Sequence, residues 1–208
     1  MNRIASADQI LWHRLRPHLE KTPTDRPVRI LDVATGSGDL PIRLAIRARR
    51  AFPGRRIDWM GCDISGHALE GASRRGERCD VPFQTHRLDI TRDPLPAADF
   101  LICSLFLHHL EIPAVTRLIR NMAEAASRAI LVSDLRRTRS GLLLAWLSAR
   151  LFSRSPIVHF DAPTSVRAAF TIEELEAVAQ DAGLEDARVT PAIPERMLLE
   201  WMPPEMRS

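Results

Sequence analysis

Tyrosine is absent from this sequence, lysine occurs once, as Lys21, and cysteine three times, as Cys62, Cys79 and Cys103. Three cysteines without a C-x-x-C pair give neither a disulfide framework nor a thiolate zinc site, so no metal is expected and a reducing, cytoplasmic setting fits. The lone lysine is outside any Gly-Lys-Ser/Thr sequence, which removes the phosphate-binding P-loop. Without tyrosine, histidine is the natural proton acceptor near neutral pH. Long apolar runs are missing too. The most apolar stretch, Leu142 to Phe152, falls short of the about 20 residues that cross a bilayer. Near the N-terminus, Arg14 and Arg16 interrupt any secretory signal. No internal repeat or low-complexity tract divides the chain, so a single domain over residues 1–208 is expected.

Charge of one sign is not concentrated either. The formal net charge is +3 and the pI about 9.2, but arginines and acids alternate along most segments, which makes nucleic acid an unfavoured partner. Arg47, Arg49, Arg50, Arg55 and Arg56 form the one local basic group, read as a solvated helix end and loop. A first helix within residues 1–25 is expected to carry Ile10, Leu11, Leu15 and Leu19 inward, with Ser6 and Gln9 as its capping box.

Against these absences stands one dense motif, Arg29-Ile-Leu-Asp-Val-Ala-Thr-Gly-Ser-Gly-Asp-Leu40. An apolar strand (Ile30, Leu31, Val33) breaks into a turn where Gly36 and Gly38 tolerate positive φ and let the backbone approach a ligand. Asp39 is expected to cap the next helix, and Pro41 suits its first turn. A dinucleotide fingerprint needs a third glycine where this chain has Pro41. Asp32, inside the strand, would repel a pyrophosphate but suits a ligand with an ammonium group, such as S-adenosylmethionine.

At these residues the chain resembles the class I S-adenosylmethionine-dependent methyltransferases, whose first motif is an acid followed by a glycine-rich turn, matched by Asp32, Ala34, Gly36 and Gly38. Ala34 replaces the usual first glycine. The second strand (Arg56 to Cys62) ends at Asp63, about 25 residues beyond Gly38, where a carboxylate accepts both ribose hydroxyls; capping of the helix at His67 to Arg75 is the alternative use. The resemblance adds Ile64 beside Asp63, then Asp89 and Ile90 after the third strand (Pro82 to Leu88), with Asp89 accepting from the adenine amine and Ile90 on the ring face. Phe100 to Cys103, fully apolar, reads as a central parallel strand delivering Ser104 and Leu105 to the cofactor edge. The segment Phe106-Leu-His-His-Leu110 falls where the family meets its substrate and lacks the Asn/Asp-Pro-Pro-aromatic pattern of nucleobase-nitrogen methylases.

A helix at Ile112 to Ala126, a fifth strand at Ala129 to Ser133 ending at Asp134, a capped helix at Thr171 to Ala182 and closing strands around Val189 and Met197 to Trp201 complete the pattern, with Pro191 and Pro194 in the last connection. The expected fold is α/β: a doubly wound, mostly parallel, seven-stranded Rossmann-like sheet with an inserted apolar lid at residues 136–170. Leu142 to Phe152, bracketed by Arg136, Arg137, Arg139, Arg150 and Arg154, reads as a lid or core helix, or as an interfacial helix giving peripheral membrane contact. The implied activity is methyl transfer from S-adenosylmethionine to a small, largely apolar phenol, quinol or polyketide-like acceptor, at oxygen or activated carbon. A non-catalytic cofactor- or partner-binding protein on the same fold is the competing reading. Candidate bases are His108, His109 and His159. Neighbouring helical residues diverge by about 100°, so His108 and His109 cannot share one pocket, and His109 and His159 are the expected substrate-side pair, with Asp161 available to orient His159.

Overall fold

The computed structural model describes residues 3–152 and 156–206. Its centre is a seven-stranded sheet in the order β3-β2-β1-β4-β5-β7-β6, formed by β1 (Val28–Val33), β2 (Ile57–Asp63), β3 (Phe83–Arg87), β4 (Ala98–Ser104), β5 (Ala126–Leu135), β6 (Arg188–Ala192) and β7 (Arg196–Trp201). The first five strands are parallel; β7 runs antiparallel to β5 and to β6. The sheet is therefore doubly wound and mostly parallel, as the alternation of strand and helix patterns requires.

Period-two alternation divides the core. Leu31, Val33, Leu101 and Cys103 face one layer with Val115, Leu118 and Ile119 of α4 (Ile112–Ala125) and Leu175 and Val178 of α7 (Ile172–Asp181). Ile30, Phe100 and Ile102 face the other, against Leu11, Leu15 and Leu19 of α1 (Arg3–Lys21) and Leu44 and Ala48 of α2 (Asp39–Ala51). With both faces covered, β1 and β4 can be apolar almost throughout. The capping box of α7 forms as its sequence implies: Glu174 N–H donates to the Thr171 hydroxyl, and Thr171 N–H donates to the Glu174 carboxylate.

Four local expectations need correction. Helix α1 begins at Arg3, so Ser6 lies inside it and is not its cap. Asp39 is the first residue of α2 rather than its cap; Gly38 takes that place at φ 71°, and the Asp39 carboxylate pairs with Arg75 of α3 (Gly66–Arg78) at 2.8 Å. Pro191 is in β6, not in the connection, which costs no ladder bond because β6 is an edge strand; Pro194 is in the connection. The basic group at the end of α2 is partly consumed within the fold: Arg55 donates to the Leu19 and Thr22 carbonyls, and Arg47 pairs with Asp8 at 3.5 Å.

Between β5 and α7 the chain leaves the sheet as two helices, α5 (Arg139–Phe152) and α6 (Pro156–Ala168). Its departure and return lie side by side: Arg136 bridges Phe170, and Arg137 N–H donates to the Phe170 carbonyl at 2.9 Å. A small third cluster, Leu135, Ala145, Ala149, Val166 and Ala169, with Leu105 and Leu142 beside it, packs this excursion onto the carboxyl ends of β4 and β5.

Candidate active site

Parallel register brings the motif residues to one edge. Val33 is level with Cys62 on β2 and Cys103 on β4, and Ser104 with Ser133 on β5, so the residues that follow emerge together at the carboxyl ends. The turn after β1 is wound left-handed at three positions, Ala34 (φ 58°), Gly36 (φ 54°) and Gly38 (φ 71°). The two glycines do different work. A Cβ on Gly38 would lie 2.9 Å from the Ala72 Cβ, so this position permits α3 to pack against the turn; a Cβ on Gly36 would meet nothing within 4 Å, so this face of the turn is open to a ligand.

Asp63 braces the open face. Its Oδ2 accepts from Gly36 N–H and its Oδ1 from Ser65 N–H, both at 2.9 Å, and Ser65 in turn caps α3 through its hydroxyl. This carboxylate thus ties the glycine turn to the start of α3, and helix capping belongs to its neighbour. Asp32 is 2% exposed and takes a 2.7 Å hydrogen bond from the Thr35 hydroxyl. Burial pushes its carboxyl up to about 7, Thr35 opposes the shift, and the nearby Asp63 charge adds to it. A buried, poorly compensated carboxylate at the root of an open glycine turn is suited to a cationic group.

Across β1, the end of β4 makes a second strained turn. Leu105 adopts φ 54°, donates its N–H to the Ser133 carbonyl at 3.0 Å and packs under α5 and α6. A single turn of 3-10 helix follows at Leu107–His109. Asp134, 1% exposed on the neighbouring β5, organises it: Oδ2 accepts from Leu107 N–H at 2.6 Å and Phe106 N–H at 3.2 Å, while Oδ1 accepts from Leu135 N–H and meets His108 Nδ1, each at 2.6 Å. With Nδ1 committed to a carboxylate, His108 Nε2 is the nitrogen left to take a proton.

His109 is exposed and lies against His108 and Phe106, with ring centroids 4.1 Å and 6.3 Å away. His159 is half-buried on α6, which packs against the histidine turn. The sequence reasoning saw Asp134 as a strand end and missed its pairing with His108; an acid closing a strand beside the candidate base was the available signal. The side chain of Asp161 lies outside the described residues.

Beyond β3, the Asp89 carboxylate accepts from the Thr91 hydroxyl at 2.6 Å and Thr91 N–H at 3.0 Å, and these bonds hold it below the usual carboxylate range. Ile90 is 6% exposed and packs in the core, presenting little surface to a ligand, whereas Ile64 beside Asp63 is 64% exposed. Cysteine chemistry has no place here: burial pushes the Cys62 thiol up to about 12 and holds Cys103 well above the usual thiol range. Among the described residues, no group of three or more His, Cys, Asp or Glu side chains could hold a metal ion.

The residues fit S-adenosylmethionine where the structure tests them. The open side of Gly36 admits the ligand, Asp32 supplies buried negative charge, and Asp63 stands beside the turn. Comparison with known proteins agrees. Residues 30–128 match a family described as a methyltransferase domain. No curated protein matches the chain. Among solved structures, a candidate O-methyltransferase from Nostoc punctiforme PCC 73102 shares 16% identity at TM-score 0.67, over 96% of this chain and 57% of its own. Magnesium protoporphyrin IX methyltransferase from Synechocystis PCC 6803, solved with bound S-adenosylhomocysteine, shares 17% at TM-score 0.66, over 97% and 88%. The CurJ carbon methyltransferase shares 14% at TM-score 0.67, over 94% and 53%. The chain thus spans little more than half the length of two of these three. Residues 30–128 are thus similar to a methyltransferase domain, and the whole chain shares the α/β fold of these solved methyltransferases.

Proposed function

We propose that this chain transfers the methyl group of S-adenosylmethionine to a small, largely apolar acceptor bearing an acidic O–H or C–H, a phenol, quinol or enol, with His108 taking the acceptor's proton. The observation that carries the reading is the 2.6 Å pair between His108 Nδ1 and Asp134 Oδ1 at the carboxyl ends of β4 and β5, beside the glycine turn. An apolar acceptor fits the apolar side chains of the lid, Leu105 and Leu142 among them.

The cofactor, when bound, supplies a methyl group on a sulfonium, and the sulfur keeps the electron pair of the broken S–C bond. The chain's own tasks are alignment, exclusion of water and removal of one proton. Asp32 would pair with the cofactor ammonium, and Asp63, beside the turn, would hold the ribose. His108 Nε2 accepts the acceptor's proton as the new bond to carbon forms, and the Asp134 carboxylate, facing Nδ1–H, stabilises the imidazolium. General-base assistance of this kind contributes roughly 10²- to 10⁴-fold. In this reading His109, beside His108, and His159, on α6, would line the acceptor side.

The test is methyl transfer from labelled S-adenosylmethionine to a panel of phenols, quinols and enolic ketones by wild type, His108→Ala, His109→Ala and His159→Ala, with cofactor affinity measured in parallel. The expected result is turnover on at least one apolar acceptor, lost about 100-fold or more in His108→Ala at unchanged cofactor affinity. Saturable cofactor binding without turnover on any acceptor would favour the non-catalytic reading.

A further inference from the structure

Helix α5 is built inside out. Ala145 and Ala149 face the fold at 8% and 4% exposure and Gly141 is buried with them, whereas Leu143, Leu144, Trp146 and Leu147 face outward at 57%, 51%, 44% and 38%. At 100° per residue those four large side chains share an arc of about 160° that also includes Arg139 and Arg150. Both arginines are exposed, and the Arg150 guanidinium lies over the Trp146 ring, 4.1 Å from its centroid. Helix α6 packs alongside and adds Phe160, 77% exposed, and exposed Arg167. A cavity of about 310 Å³ between the two helices is lined by Leu142 and Val166 together with Arg137, Arg139 and Arg167. No acidic residue occurs between Asp134 and Asp161.

We infer that the outer face of α5, with the exposed end of α6, docks on an anionic lipid bilayer. A helix that only roofed the sheet would place its leucines inward and polar residues outward; here Leu142 alone joins Gly141, Ala145 and Ala149 on the inner side among the described side chains, and Leu143, Leu144, Trp146 and Leu147 are outside. Tryptophan with a stacked arginine matches the boundary between headgroup and acyl chain, and Arg139 and Arg150, on a helix without acids, match anionic phosphates, whereas Arg137 nearby is already paired with Glu174. The same two arginines disfavour a second copy, because a two-fold contact through this face would set Arg139 and Arg150 against their own kind. No helix among the described residues is long and apolar enough to cross a membrane, so the contact is with one surface. The inference does not depend on which acceptor is methylated.

The test is flotation of the purified chain with neutral phosphatidylcholine vesicles and with vesicles containing phosphatidylglycerol, at low and high salt. The chain is expected to float with the anionic vesicles and to release at high salt. Arg139→Gln with Arg150→Gln should weaken partitioning about 30-fold, since each arginine near such a surface contributes about fivefold. Leu143→Ser with Leu147→Ser should weaken it as well, each pair retaining the wild-type melting profile. Absence of flotation, or equal flotation with neutral vesicles, would overturn the inference. So would a concentration-dependent dimer in sedimentation that the leucine pair dissolves, which would assign the face to a second copy.

Discussion

Replacing Asp32 with asparagine is expected to stabilise the chain while weakening its cofactor, two effects of opposite sign from one buried carboxylate. The folded-state value near 7 exceeds the ordinary value of about 3.9 by about three units, or about 4 kcal/mol between protonated and ionised forms. Because the folded value is raised, the folded chain holds the proton more tightly than the unfolded chain. The stability tied to that proton is complete below about pH 4, falls by at most about 1.4 kcal/mol per pH unit above it, and is gone once the pH passes about 7. Asparagine keeps an oxygen for the Thr35 hydroxyl but never ionises. At pH 8 the variant should therefore be about 2–4 kcal/mol more stable, a rise of roughly 5–10 °C in Tm for a chain of this size. Its affinity for S-adenosylmethionine should fall about 10- to 100-fold, the worth of one charge-assisted contact to the ammonium. The assays are urea unfolding of both proteins between pH 4.5 and 8.5 and calorimetric titration with the cofactor. Wild-type binding below pH 7 should release a proton, seen as a dependence of the measured heat on the buffer's ionisation enthalpy. Wild-type stability that is flat from pH 4.5 to 7, or a variant that is less stable at pH 8, would refute the electrostatic argument. Unchanged cofactor affinity would remove the ammonium from this end of the site.

Two further outcomes follow from the same edge and from its opposite. Ala34→Gly relieves a left-handed alanine at φ 58°; the relief of about 1–2 kcal/mol, less about 0.4–1 kcal/mol from the freer unfolded chain, predicts a net gain of about 0.5–1 kcal/mol, read by thermal melting. Asp99 is 2% exposed at the amino end of β4, where it accepts from Arg26 at 2.9 and 2.6 Å, Arg29 N–H at 2.9 Å and Ser127 at 3.0 Å. Burial alone would raise its carboxyl, yet these bonds hold it below the usual range. Its stabilisation is therefore present above the unfolded value and lost as the pH falls through the folded one. Asp99→Ala should cost about 2–4 kcal/mol at pH 7, with Arg26's half-exposed side chain favouring the lower figure. The cost should shrink as the pH falls below the ordinary carboxylate value of about 4, with cofactor affinity unchanged.

Glycine, burial and period were readable from the chain because each is a local constraint. The run from Arg29 to Leu40 could scarcely be anything but a buried strand breaking into a ligand-facing turn, and the apolar stretch from Phe100 to Cys103 needed cover on both faces. The Thr171-x-x-Glu174 box announced the start of α7. The α6 helix was harder to read: Pro163 and the irregular pattern around it give no helical period, and packing against α5 and the histidine turn supplies the stabilisation that local propensity does not.

From residue types and spacing came the seven-stranded α/β architecture, the Asp32 and Gly36 to Gly38 cradle, and three candidate bases, His108, His109 and His159, with His109 and His159 preferred. That His108 is the one held by a buried carboxylate depended on register. His108 and Asp134 are separated by 26 positions and meet because β4 and β5 pair with Ser104 level with Ser133, an alignment set by two whole core faces rather than by neighbours in the chain. Likewise, the apolarity of residues 142–152 was plain in the sequence. That Leu143, Leu144, Trp146 and Leu147 turn away from the fold while Ala145 and Ala149 turn inward follows from the narrow space above Leu105 and Leu135, where small side chains let α5 and α6 approach the sheet.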